Sequence, residues 1–131
     1  MAEIVVFPDV EALAVTVLNG DARMQPVPWS TRIPDQMPSA PPVFGTVRRF
    51  GGPRESMISE GAYLILESWA MDESSAIANL NLARGILASQ DGLLFGYQEL
   101  GGPNNLPDPT VPDWDRYTLN VSVRARGSVL A

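Results

Sequence analysis

The chain has no cysteine, no histidine and no lysine among its 131 residues, and each absence closes off a region of chemistry. Without cysteine there is no disulfide framework, thiolate nucleophile or cysteine-ligated zinc. Without histidine the usual proton shuttle near neutral pH and the commonest metal ligand are missing too. Catalysis would have to rest on carboxylates, hydroxyls, tyrosine, arginine or a hard cation. All nine cations are arginine, and the formal net charge is −6. Two readings account for the all-arginine set: a GC-rich genome that favours arginine codons, or guanidinium groups selected for bidentate pairing across interfaces. The acidic balance argues against DNA binding as the main task, because phosphate contacts need clustered cations. Long apolar runs are lacking as well. None is of bilayer-spanning length, and residues 1–8 have neither the basic region nor the apolar stretch of a signal peptide, so a cytosol-like setting without membrane contact is expected.

What is present reads as one α+β domain over residues 1–131, large enough to bury a core without metal or disulfide. Val10, Leu13, Ala14, Val17 and Leu18 recur at the spacing of one helical face, which predicts a helix over residues 8–18 with Asn19-Gly20 as a left-handed stop. Six of the twelve prolines fall in residues 26–42, around a short possible strand at 29–33. That segment is expected to be a stiff exposed loop, either a simple crossover or a contact loop. A strand over 43–50, the Gly51-Gly52-Pro53 break and a strand over 62–69 follow. The second of these is apolar on both faces for five residues and reads as central.

Asp72 is the expected N-cap of a second helix reaching about Gln90. Ala76, Ile77, Leu80, Ala83 and Leu87 form its predicted core stripe. Ala78, Leu82, Gly85 and Ile86 make a second apolar strip, expected to meet another subunit or to lie under a long loop. A strand over 93–100 should stop at Gly101-Gly102-Pro103, and a proline-rich loop over 104–114 carries Trp114, an aromatic with no evident local core to join. Tyr117, Leu119, Val121, Val123 and Ala125 alternate with polar residues as a half-buried strand. The expected architecture is a mostly antiparallel or mixed sheet of four or five strands with two helices packed on it.

Candidate chemistry is sparse. Asp108, Asp113 and Asp115 offer oxygen ligands for Mg²⁺ or Ca²⁺ but match no EF-hand spacing, and a polar loop explains them as well. Arg48 and Arg49 before the Gly-Gly-Pro turn and Arg54 after it suggest three guanidinium groups at one end of a hairpin. They would reach acids of a neighbour, or pair locally with Glu55 or Glu60. The same segment lacks the lysine and the following helix of a phosphate loop, and no dinucleotide fingerprint is present. No active site, metal site or cofactor site emerges.

The order of segments carries a resemblance. Asp9-Val10-Glu11-Ala12-Leu13 opens a helix; Ser30-Thr31-Arg32-Ile33-Pro34 follows, then residues 44–49 with Gly51-Gly52, Glu67-Ser68-Trp69-Ala70, and Glu73-Ser74-Ser75-Ala76. Later come Glu99-Leu100-Gly101-Gly102-Pro103-Asn104-Asn105-Leu106-Pro107-Asp108-Pro109 and Arg116-Tyr117. Over residues 7–126 this resembles the tail terminator proteins of long-tailed, non-contractile (siphovirus-type) phages, especially those of actinobacterial hosts.

The resemblance implies a virion structural protein and no enzyme. It would be a hexameric ring that caps the tail tube, ends tail polymerisation and presents the head-joining surface in the tail-neck region, after assembly in the host cytoplasm. Implied partners are copies of the chain itself, the major tail tube protein and a head-completion or neck protein, with duplex DNA passing through unbound. On that view Arg48, Arg49, Arg54, Ala78, Leu82, Gly85, Ile86 and Trp114 are candidate subunit or tube contacts, and Asp108, Asp113 and Asp115 candidate lumen acids that repel phosphate. A head-tail adaptor or head-closure protein, or a metal-dependent enzyme using the Asp loop, are the alternatives.

Overall fold

A computed structural model of the chain describes residues 3–34, 40–56 and 58–130. Pro38 of the proline-rich loop and Met1 and Ala2 of the N-terminal run lie outside the described residues. The elements are β1 (Val5–Val6), α1 (Val10–Gly20), β2 (Trp29–Ser30), β3 (Val43–Arg49), β4 (Ser59–Ala70), α2 (Glu73–Ala88), β5 (Leu94–Asn105), β6 (Asp115–Arg126) and β7 (Ser128–Val129). The fold is α+β. A five-stranded mixed sheet runs in the order β2-β3-β4-β6-β5, antiparallel except for β2 on β3, and β1 pairs with β7 in a separate two-stranded ribbon.

The strand expected to be central, now β4, is the middle strand. Its period of two divides the sheet into two unlike faces. Ala62, Leu64, Leu66 and Ala70 join Val47, Tyr117, Leu119, Val121, Val123 and Ala125 on the face that both helices cover. From α1 the buried residues are Val10, Ala14 and Leu18; from α2 they are Ala76, Asn79, Leu80, Ala83, Ile86 and Leu87. Asp72 caps α2 as expected, accepting from the Ser75 N–H at 2.9 Å, and Asp9 caps α1 in the same way through Ala12.

Three local expectations need correction, and one element had not been expected. Gly20 is not a left-handed stop: α1 ends on Asp21, which is extended, and the side chain of Asn19 is occupied elsewhere. Gly101-Gly102-Pro103 does not end β5. The strand absorbs it as register shifts against β6 and resumes pairing at Asn104 with Thr118, which glycines permit because they carry no side chain into the ladder. Ile77 is 37% exposed while Ile86 is 3% exposed, so the core stripe of α2 is rotated from the expected one. Finally, the β1–β7 ribbon had no strong local signal, because two-residue strands are too short to show alternation.

The segment over 26–42 is more than a crossover. Trp29 lies across Gly45, whose absent Cβ would sit 2.4 Å from the indole ring, so only glycine admits β2 at this distance. Asn19 holds the same residue from the helix side. Its amide donates to the Trp29 carbonyl at 2.8 Å and accepts from the Trp29 N–H at 2.9 Å.

Candidate functional site

Among the described residues, the face of the sheet turned away from the helices is covered at one end only. Phe44, Trp69 and Arg116 are neighbours across β3, β4 and β6. Phe44 stacks on Trp69 with centroids 5.8 Å apart, Trp114 meets Phe44 edge-on at 5.4 Å, and the Arg116 guanidinium lies over the Trp69 ring. Trp114 therefore has a core to join. It is 8% exposed within its own chain: the 104–114 loop folds back over the sheet and packs this side chain there. Arg116 ties that loop down, donating to the Leu106 carbonyl at 2.6 Å and to Glu67 at 3.3 Å.

Beneath this end runs a buried polar chain. Trp29 Nε1 donates to Asn79 Oδ1 at 3.2 Å, the Asn79 amide donates to Ser68 Oγ at 2.9 Å, and Ser68 Oγ donates to the Ala76 carbonyl at 2.7 Å. Each buried polar group here has a partner, which is what makes the burial tolerable. Asn79 carried a readable signal, an amide at a core-facing helix position between Ala76 and Ala83, but its partners come from distant strands. Trp69 Nε1, by contrast, is buried without a hydrogen-bond partner among the described residues.

The rest of this face is open. Arg48, Ile65 and Asn120 form one row, followed by Tyr63 and Ser122, and Phe50 packs on Tyr63 with centroids 5.6 Å apart. A recess of about 340 Å³ lies among Tyr63, Gln98, Leu100 and Ser122, bounded by the Arg124–Glu55 ion pair at 2.7 Å.

The three arginines of the hairpin do not act together. Arg48 is exposed on the open face, whereas Arg49, one position on, alternates away from it. Arg49 donates to the Gly51 carbonyl at 3.0 Å and the Gly61 carbonyl at 3.2 Å and pairs with Glu60 at 3.4 Å. Arg54 donates to the Ser56 carbonyl at 3.2 Å and lies over the Phe7 ring. Local pairing thus accounts for Arg49, with Glu60, while Glu55 serves Arg124 instead.

On α2, Ala78 and Gly85 are exposed and Leu82 is half-buried, so three members of the second strip face outward. Ile86 does not, since it belongs to the core. The three outward residues line two shallow recesses of about 270 and 250 Å³ that share Arg23 and Leu82; the first is also bordered by Met24, Val27 and Val43. On the other flank of α2, Arg84 makes a bidentate pair with Glu99 of β5, its Nε arm measuring 2.7 Å. That guanidinium holds the Glu99 carboxyl below its ordinary range. Burial, with Glu99 as hydrogen-bond partner, pushes the Tyr97 phenol above its own. Tyr117 donates to Glu73 at the start of α2, and this bond raises its phenol to about 12.

The three acids of the loop have separate duties. Asp108 accepts from the N–H and hydroxyl of Thr110 at 2.9 and 2.7 Å, which holds its carboxyl low. Asp113 is exposed and Asp115 begins β6 opposite Ala70. Among the described residues no three acidic, histidine or cysteine side chains come together as a metal site, and no helix is long and apolar enough to cross a membrane. No protein-family model matches the chain, and no curated protein matches it.

Proposed function

We propose that this chain is a ring-forming structural subunit of a long-tailed, non-contractile phage. In this reading six copies cap the tail tube, end its polymerisation and present the surface that receives the head. One observation supports it above the others: segments that carry the resemblance, far apart in the chain, meet at one end of the sheet. Thr46, Glu67, Thr118 and Asn104 are successive neighbours across β3, β4, β6 and β5, and Phe44, Trp69 and Arg116 form the adjacent row. Ser30 joins through β2 beside Thr46, while Glu11 of the first segment reaches the other end of β3, where it accepts from the Arg49 N–H at 2.7 Å. The segments that carry the resemblance thus belong to one packed unit.

In the proposed ring the genome passes without being gripped. Each phosphate neutralised by arginine would add affinity and salt dependence, multiplied by the number of subunits, and a net charge of −6 per chain opposes that. Sedimentation of the purified protein tests the ring: a species of six 14.2 kDa chains is expected to build up with concentration and to bind the open ends of isolated tail tubes. A protein that stays monomeric in the presence of tubes overturns the reading. A ring that ignores tubes but binds the portal end of filled heads makes it a neck adaptor or head-closure protein. Submicromolar, sequence-independent duplex binding at physiological salt overturns the passive channel.

A further inference from the structure

Two dipeptides carry the same latent reaction, and the fold treats them in opposite ways. Asn19-Gly20 is the one Asn-Gly of the sequence and Asp91-Gly92 the one Asp-Gly. In each the glycine nitrogen can attack the side-chain carbonyl carbon of the residue before it, since the glycine has no Cβ to obstruct the approach. In an unfolded chain Asn19 reacts faster, because a neutral amide is attacked more readily than an ionised carboxylate. The structure holds Asn19 back. Its side-chain amide donates to the Trp29 carbonyl at 2.8 Å and accepts from the Trp29 N–H at 2.9 Å, its own carbonyl accepts from Gln25 Nε2 at 2.7 Å, and Gly20 lies within α1. Asp91 is not restrained in this way. It stands in the turn between α2 and β5 with its side chain 92% exposed, and among the described residues its carboxylate meets only the Arg126 guanidinium, at 4.0 Å. Gly92 is exposed as well, and an added Cβ there would meet nothing within 4 Å, so the turn has room for a ring to close.

We infer that Asp91 is a modification site: it forms isoaspartate spontaneously and so becomes a substrate for carboxyl methylation, while folding protects Asn19. The Gly92 nitrogen bonds to Asp91 Cγ and gives up its proton, the protonated carboxyl gives up its hydroxyl, and the two leave as water. A second water then opens the succinimide ring at either carbonyl. Opening at Cγ restores aspartate. Opening at the former main-chain carbonyl leaves the chain running through Cβ and Cγ, with the α-carboxylate free to accept a methyl group from S-adenosylmethionine. At Asn19 the group lost in the first step would be ammonia. The isoaspartate adds one main-chain carbon just before the bonds that fasten this turn to β6. Arg126 Nε donates to the Gly92 carbonyl at 3.0 Å, the Arg126 N–H donates to the Leu93 carbonyl at 2.9 Å, and the Gly92 N–H donates to the Leu94 carbonyl at 3.1 Å. Isomerisation therefore loosens the start of β5. None of this depends on the ring reading.

The test ages the full chain for weeks in warm neutral buffer, one portion native and one in guanidinium chloride. Electron-transfer fragmentation of tryptic peptides locates the products, and methyl transfer from labelled S-adenosylmethionine by an isoaspartyl methyltransferase counts them. In the native portion isoaspartate is expected at Asp91 with Asn19 intact; in the denatured portion Asn19 should convert first. Gly92→Ala, whose new methyl group meets nothing, should slow conversion at Asp91 several-fold in the native chain. In the isomerised fraction the Arg126 amide proton should exchange faster than in fresh protein. A native Asp91 that stays unchanged while the denatured one converts overturns the site. Deamidation of Asn19 at equal rates in both portions overturns its protection, and a Gly92→Ala chain that isomerises as fast as wild type overturns attack by the Gly92 nitrogen. Unaltered Arg126 exchange in the isomerised fraction overturns the loosening of the turn.

Discussion

The two faces of the sheet share strands and backbone geometry, yet they are built to different ends. On the helix-covered face Leu64, Leu66, Leu119 and Val121 are fully buried between β4, β6 and the two helices. On the other face the residues next to them in sequence, Tyr63, Ile65, Asn120 and Ser122, meet no helix, and burial is confined to the Phe44, Trp69 and Trp114 end. Stability is thus concentrated on one side. The open face is left free to vary at little energetic cost, which is the condition a contact surface needs.

The comparison breaks most directly at Leu66. Leu66→Ala should cost about 4 kcal/mol in urea unfolding, since it leaves a cavity in the core between β4, β6 and the helices. Trp114→Ala should cost less, about 3 kcal/mol. It uncovers the stacked Phe44–Trp69 pair and frees the 104–114 loop, but its site already borders water. If Trp114→Ala matched or exceeded Leu66→Ala, the covered end of the far face would have to be counted as a second core of equal rank.

Smaller effects sharpen the contrast. Asp72→Ala removes the α2 cap and should lower the melting temperature by a few degrees at neutral pH. The Ser75 N–H holds this carboxyl below its ordinary value of 3.8. Its contribution is therefore complete above the unfolded value and is lost as pH falls through the lower folded one, so the gap between variant and wild type should shrink below about pH 4. Gly85→Ala should stabilise the monomer by about 0.5–1 kcal/mol, because the glycine is exposed inside a helix and the new methyl group meets nothing. Arg48→Ala, on the open face, should change stability by less than about 0.5 kcal/mol. A loss of 2 kcal/mol or more there would mean that the open face contributes to the fold.

Much of the fold was legible because its signals are local. The alternation from Tyr117 to Ala125, the two-sided apolar run of β4 and the Asp72 cap each follow from spacings that hold wherever the chain goes. The misplaced features share one cause, dependence on partners remote in sequence. Ile77 and Ile86 flank the stripe on opposite sides of a helical wheel, and only the angle at which α2 meets β4 and β6 decides which is buried. Trp114 is an isolated loop aromatic until the loop returns over Phe44. Gly101-Gly102-Pro103 looks like a terminator until β6 supplies a ladder long enough to absorb it.

The candidate surfaces divide along the same line. By itself the sequence determined that this protein lacks cysteine, histidine and lysine chemistry, that it has one amphipathic and one nearly all-round apolar helix, and that its central strand carries apolar residues on both faces. Only the tertiary structure decided that Ala78, Leu82 and Gly85 face outward while Ile86 does not, that Arg48 and Arg49 part company, and that residues 5–6 and 128–129 meet in an apolar ribbon. The physical reason is that hydrophobic periodicity reports which side chains avoid water, whereas the surface each one finds is set by chain segments as many as 124 residues away, as in the pairing of Val5 with Val129.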